Sequence, residues 1–412
     1  MRRRTLTVLT LTFAATCLLT LGLFSANQWE ERVNTFVVLG FNDLGMHCMN
    51  QDFSEFMILP PYNNLHAQVV QRAFPRPRLV TEGITVKYSI PGNTTSVTKT
   101  NFWTYAPSLL GLSLPPDIGL SGNGLAGDMM VAGTGWVATG IPLTPQTDLG
   151  TIDPFQLAQV EVWAGDEILA ATRPVVPVSW ELRCDLCHHG APDAPKSVLQ
   201  AHDLLHGTSL YDPNTGGPAN GNPVLCGGCH GQIELGLPGQ PGVENLSLAM
   251  HKAHSPRMMD VVTMVPGGVA CYACHPGPDT QCLRDVHSTR LGMTCKNCHA
   301  PGATTVDAEM LAVGDPARRP WLDMPRCDSC HHKQGYSYEQ PGTLYRNSIG
   351  HGGLYCEACH NSTHAITPAR DFADNVQSLL LQGRRGTIKK CTVCHAFPFT
   401  NQFKHKPPTP VI

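Results

Sequence analysis

Cys184 and Cys187 are followed at once by His188, and this spacing returns along the chain. The same C-x-x-C-H pattern stands at Cys226, Cys229 and His230, at Cys271, Cys274 and His275, and at Cys295, Cys298 and His299. It stands again at Cys327, Cys330 and His331, at Cys356, Cys359 and His360, and at Cys391, Cys394 and His395. Fourteen of the 17 cysteines are used in this way. Two cysteines three apart can form thioethers to the two vinyl groups of one haem. The histidine that follows then sits under the iron. The pattern is the c-type haem attachment signature. Zinc also takes Cys-x-x-Cys pairs, but it needs a second pair per site and no histidine after each one. A disulfide framework does not require that histidine either. The reading is therefore seven covalently attached haems, with the fourteen cysteines as anchors and the seven motif histidines as iron ligands.

A six-coordinate iron needs a second axial ligand. Ten further histidines lie between Cys184 and the C-terminal residue: His189, His202, His206, His251, His254, His287, His332, His351, His364 and His405. Residues 1–180 hold only His47 and His66, so histidine is concentrated where haem is expected. His202 and His206 are spaced i,i+4, and His251 and His254 i,i+3. In a helix each pair shares one face and can serve two neighbouring haems. With His287, His351 and His364 they make seven candidate distal ligands. His189 and His332, each directly after a motif histidine, are reserves. Methionine is the rival ligand and raises the potential; the histidine supply predicts mainly bis-histidine, low-potential haems.

The elements that must hold these residues have an unusual composition. The chain has 412 residues, 15% charged, with 39 glycines and 34 prolines. Such a chain favours turns over long helices, and porphyrin plates would supply much of its apolar core. The formal charge of −3 gives no reason to expect nucleic acid as a partner. Motif starts are unevenly spaced, which excludes a strict repeat. About 33 residues per motif between Cys184 and Ile412 predicts haems packed close together.

Three regions follow. Residues 1–27 carry Met1-Arg-Arg-Arg4 and then an uncharged, mostly apolar run from Thr5 to Phe24. This reads as a signal peptide or an N-terminal membrane anchor. Cys17 reads as an apolar residue of that run. Residues 28–180 form a β-sandwich-like antiparallel domain. Ile84–Ile90 alternates strictly, Phe36–Phe41 and Ala67–Arg72 are strand candidates, and Gln159–Trp163 and Glu167–Thr172 flank a hairpin turn at Gly165. The short spacer to Cys184 predicts that this domain packs on the first haem. Its denser patch, Asp43 to His66 with His47, Cys48 and Met49, reads as a loop packed on the haem region. A soft-metal site, or His47 or His66 as a distal ligand, remain alternatives. Residues 181–412 form a haem-packed cytochrome domain of irregular segments and short helices, including one over Lys196–His206.

At these residues the chain resembles the multihaem c-type cytochromes of metal-reducing and other environmental bacteria that carry an N-terminal β domain. Gly40–Cys48, Gln281–His287, His351–Cys356 and Thr363–Ile366 carry the likeness. Similar proteins often have a histidine after a Leu-Gln-Gly segment before the last motif; here Arg384 and Arg385 stand there, so His405 or a neighbour of His395 is left to compensate. The resemblance implies an exported protein of the periplasm, outer membrane or extracellular space that relays electrons. Its partners would be redox proteins or an extracellular acceptor. Self-assembly, and membrane association through residues 5–24, stay open. The alternative is a reductase of small nitrogen or sulfur oxyanions at one open haem; such enzymes often replace the motif histidine by lysine, and no C-x-x-C-K occurs.

Once the leader is set aside, only Cys48 and Cys282 lie outside motifs. They are either a disulfide clamping the two domains, which an oxidising compartment would favour, or two inert thiols in separate cores.

Overall fold

The structure, a computed structural model, describes residues 35–73, 76–189, 193–333 and 338–396. The N-terminal region is built from antiparallel sheets. One sheet runs in the order β1 (Phe36–Phe41), β4 (Leu65–Gln71), β9 (Gly135–Ala138), β8 (Met130–Ala132), with β5 (Arg78–Val80) also on β4. The other runs β11 (Glu167–Thr172), β10 (Gln159–Ala164), β6 (Thr85–Ser89), β7 (Ala126–Asp128). Gly165, at φ 57°, makes the β10–β11 turn, and the register slips between Val162 and Trp163. Every strand anticipated from alternation is present within one or two residues.

Two departures stand out. The strand pair β2 (His47–Cys48) and β12 (Val178–Ser179) is parallel, as is Phe56–Met57 (β3) with Val224–Leu225. These two-residue contacts tie loops across the molecule, so hairpin geometry does not govern them. Helix α1 (Phe102–Leu110) also interrupts the sheets; its apolar residues Phe102, Ala106 and Leu109 are buried, and Gly111 ends it in the left-handed region. Its proline at 107 and the lack of a capping side chain hid it in the sequence.

Between the sheets lies the main core: Val38, Leu65, Ala67 and Val69 face Val86, Tyr88, Val160, Val162 and Ala170. Strand β1 is buried on both faces. Val38 points into that core, while Val37, Leu39 and Phe41 join Leu354, Ala358, Ile388 and Val393 in a second cluster. Thus the segments packed on β1 belong to the sixth and seventh motifs rather than the first. The reason is that β1 offers an apolar outer face, where most strands of a half-solvated sheet would offer polar groups. The fully buried Gln68 accepts from Tyr355 N at 2.8 Å and donates to Gly353 O at 3.2 Å. Gln377 takes Gly40 N at 2.7 Å and gives to Gly40 O at 2.9 Å, and Arg72 Nε reaches Val393 O at 2.8 Å.

From Cys184 onward the described chain has short helices and irregular segments. The longest are α2 (Ala194–His206) and α3 (Leu246–His254), followed by α4 (Val286–Leu291), α5 (Val306–Val313) and α6 (Val376–Gln382). Asp193, Asn245, Asp285 and Thr305 cap the first four through their side chains. Among the described residues no helix is long and apolar enough to cross a membrane. The expected leader at 1–27, Cys17 and His405 lie outside the described residues.

Candidate haem-binding site

Each C-x-x-C-H segment closes into a single helical turn. In five of them the backbone N–H of the histidine donates to the carbonyl of the first cysteine at 2.9 Å, as His188 does to Cys184 and His395 to Cys391. One such turn brings residues i and i+3 to the same side, which is where two thioethers to one flat group must start. The first cysteine of each motif is half-buried; the second is exposed in the first five motifs. Burial pushes Cys226, Cys274 and Cys327 up to about 12 and Cys356 up to about 11, so these thiols are held protonated.

Six motif histidines face a second imidazole. The ring centres are 6.3 Å apart for His188 and His254, 6.1 Å for His230 and His202, and 6.3 Å for His275 and His251. They are 6.1 Å for His299 and His364, 5.9 Å for His331 and His287, and 6.0 Å for His395 and His351. Two imidazoles on opposite sides of one metal ion, each with a metal–nitrogen bond of about 2 Å, have ring centres about 6 Å apart. The residues present therefore fit an iron between each pair. Every pair joins one motif histidine to one of the seven non-motif candidates.

The non-motif rings are also held in a suitable tautomer. His251 Nδ1 donates to Ser247 O and His254 Nδ1 to Met250 O, each at 2.7 Å along α3. His287 Nδ1 donates to Asp285 Oδ2 at 2.9 Å. His202 Nδ1 meets Thr208 Oγ1 at 2.8 Å; that hydroxyl spends its own proton on Asp203, so it accepts from the ring. His364 Nδ1 lies 3.5 Å from Cys282 Sγ. A proton held on Nδ1 leaves the lone pair of Nε2 for a metal. Burial lowers His275 and His299 to about 4, keeping both rings neutral and able to ligate. The Asp285 hydrogen bond instead raises His287.

The remaining motif histidine, His360 of the sixth motif, has its Nδ1 3.5 Å from Thr387 Oγ1. His206 adjoins His202, with ring centres 4.9 Å apart, rather than a motif histidine. His189 and His332 are exposed. His47 and His66 belong to the β region: His47 Nε2 donates to Pro60 O at 2.8 Å, and His66 stacks on Phe41 and lies 3.3 Å from Asp43. That patch is a hydrogen-bonded loop, with Asn42, Asn63 and Asn64 tying its strands. Among the described residues no group of three or more His, Cys, Asp or Glu is arranged to hold a bare metal ion. The donors come as opposed pairs, not tetrahedra.

Helices that carry the second histidines also expose apolar side chains: Leu204 at 86% and Leu205 at 60% on α2, and Leu291 at 69% on α4. Exposed apolar surface of this kind suits a covering group, and a porphyrin plate has the right chemistry.

Several motif segments are tied together. The partners of the first and third motif histidines, His254 and His251, share α3. Arg284 N donates to His364 O at 2.9 Å and Val286 N to Ile366 O at 3.1 Å, pairing the segments that carry the partners of His299 and His331. Ile388 N donates to Cys359 O at 2.9 Å between the sixth and seventh motifs.

Sequence reasoning missed the groups that orient the ligands. Asp285 was legible as an acidic N-cap two residues before His287. Cys282 and the ion pair of Arg284 with Asp374, 2.7 Å and fully buried, had no such signal. Arg284 Nη1 bridges Gly45 O and Cys282 O, each at 3.1 Å, and so ties the Cys282 segment to the loop that carries Cys48. Both are free thiols here, not a disulfide; burial holds Cys48 well above the usual thiol range, with Cys282 adding to it.

No family model, curated protein or solved structure matches this chain.

Proposed function

We propose that the chain is an exported seven-haem c-type cytochrome, with a β-sandwich-like domain over residues 28–180 and a haem-packed domain over 181–412, and that it relays electrons between redox partners. The observation that carries this reading is the set of six opposed histidine pairs, each made of one C-x-x-C-H histidine and one other, with ring centres 5.9–6.3 Å apart. Bound haem would supply one-electron chemistry at its iron. The protein's own residues would fill both axial positions, which favours transfer over substrate turnover.

Denaturing mass spectrometry of the protein matured in a host competent for c-type cytochromes tests this. The expected mass is the chain plus seven haems; five or fewer would overturn the reading. An electron paramagnetic resonance spectrum of the oxidised protein should be dominated by low-spin iron.

A further inference from the structure

The loop between α6 and the seventh motif carries four cations, Arg384, Arg385, Lys389 and Lys390, and no acidic residue. All four are exposed. Elsewhere in the motif region several surface cations are matched, Lys252 with Glu244, Lys296 with Glu309, Arg319 with Asp323 and Arg326 with Asp328, while Arg257, Arg290 and Arg370 stand singly without an ion pair among the described residues. Among the described residues none of these four makes an ion pair. Arg385 lies over the exposed ring of Phe372, 5.4 Å from its centre.

The loop is held in shape. Gln382, 6% exposed, donates through Nε2 to Arg384 O at 3.3 Å, Gly386 O at 2.9 Å and Thr387 O at 3.1 Å, and its Oε1 accepts from Lys389 N at 3.1 Å. Ile388 is buried in the cluster on β1. A mobile basic tail would lose ordering entropy on docking; a loop fixed by its own glutamine does not. The chain as a whole is acidic, at −3, so this is a local reversal of sign directly before the seventh motif.

We propose that the 384–390 loop is the docking surface for an acidic redox protein that exchanges electrons with the seventh haem. The proposal rests on the relay reading above. A patch of unpaired like charges steers an oppositely charged partner and raises its association rate, more so at low salt. In each encounter one electron leaves the reduced partner and one ferric haem becomes ferrous; no bond forms and no proton moves.

The test uses the oxidised holoprotein and two reductants in stopped flow: a reduced acidic plant-type ferredoxin, and photoreduced lumiflavin, which is neutral. Haem content is measured first. The expected result is a ferredoxin rate that falls with ionic strength and drops at least tenfold in the R384E/R385E/K389E/K390E variant, while the lumiflavin rate is unchanged. The milder R384Q/R385Q/K389Q/K390Q variant, which keeps the loop's length and polarity, should give a smaller drop in the same direction. K252E/R319E, which changes matched cations elsewhere, should leave both rates alone. A ferredoxin rate indifferent to salt and to charge reversal overturns the proposal. So does charge reversal that abolishes binding to phosphatidylserine vesicles and spares the ferredoxin rate, since the loop would then be a membrane contact. A chain that carries no haem removes the relay reading itself, whereas a fully loaded chain with unchanged rates removes only the docking loop.

Discussion

Asp285 Oδ2 accepts the Nδ1 proton of His287 across 2.9 Å, and the same carboxylate caps α4 by accepting from the backbone of His287 and Ser288. One side chain thus sets both the helix start and the electronic character of the ring opposite His331. A carboxylate acceptor makes an imidazole a stronger donor than a carbonyl does. On the proposed function, a haem held there would sit at a lower potential than one on His299, whose second ring, His364, has its Nδ1 3.5 Å from the Cys282 thiol.

Asp285→Asn keeps a good N-cap and removes the charge. It is expected to raise one midpoint potential by about 60 mV, a tenfold change for a one-electron couple, with the other six unmoved. Redox titration followed by electron paramagnetic resonance reads this, and unchanged curves in a fully folded variant would count against it.

On the proposed function, His254→Ala should leave haem bound through Cys184 and Cys187 and turn one iron high-spin. His189→Ala, at an exposed neighbour of His188, should leave the spectrum as it was. Equal spectra for the two variants would break the pairing of His188 with His254.

His47 is buried, and burial lowers it to about 4 from an unfolded value near 6.5. The unfolded chain therefore binds its proton first as pH falls. The stability this residue contributes is whole above pH 6.5 and is lost between 6.5 and about 4, up to about 3 kcal/mol. His47→Gln can still donate to Pro60 O and should flatten that acid limb. Urea unfolding of both proteins at pH 7 and pH 5 measures the difference.

Gly45 has φ 74°, and a Cβ there would run into the Thr363 carbonyl. Gly45→Ala should destabilise the protein by about 2 kcal/mol or more, from left-handed strain and the clash together. Gly92→Ala, where a Cβ meets nothing within 4 Å, is the control. Equal denaturation midpoints would show that the Gly45 loop does not bear on the Thr363 segment.

The C-x-x-C-H turns were legible because a spacing of three closes one helical turn, and the strands because alternation marks a half-buried sheet. His251 and His254 were legible as a pair since helical periodicity puts them on one face. Which motif each one serves was not, because that depends on how α3 lies between Cys184 and Cys271. His206 shared the spacing argument with His202, yet it packs on His202 itself, 4.9 Å away, while His202 is the ring set against His230. The packing of β1 was hidden for a related reason. Its run Phe36-Val-Val-Leu-Gly-Phe41 marks burial on both faces but does not name what covers them.

Strand β1 has a consequence for how the protein is made. Its inner face can fill as soon as β4 and β10 arrive, but its outer wall is built from residues more than 300 positions later, as the Gly40–Gln377 and Arg72–Val393 bonds show. A chain that emerges from its N-terminus first must hold Val37, Leu39 and Phe41 uncovered through nearly the whole of synthesis. Contacts so distant in sequence close late and slowly, and an open apolar strand is a site for wrong association until they do. The last C-x-x-C-H turn is therefore also the lid of the first sheet, so loss of that turn would leave the N-terminal half with an open apolar face.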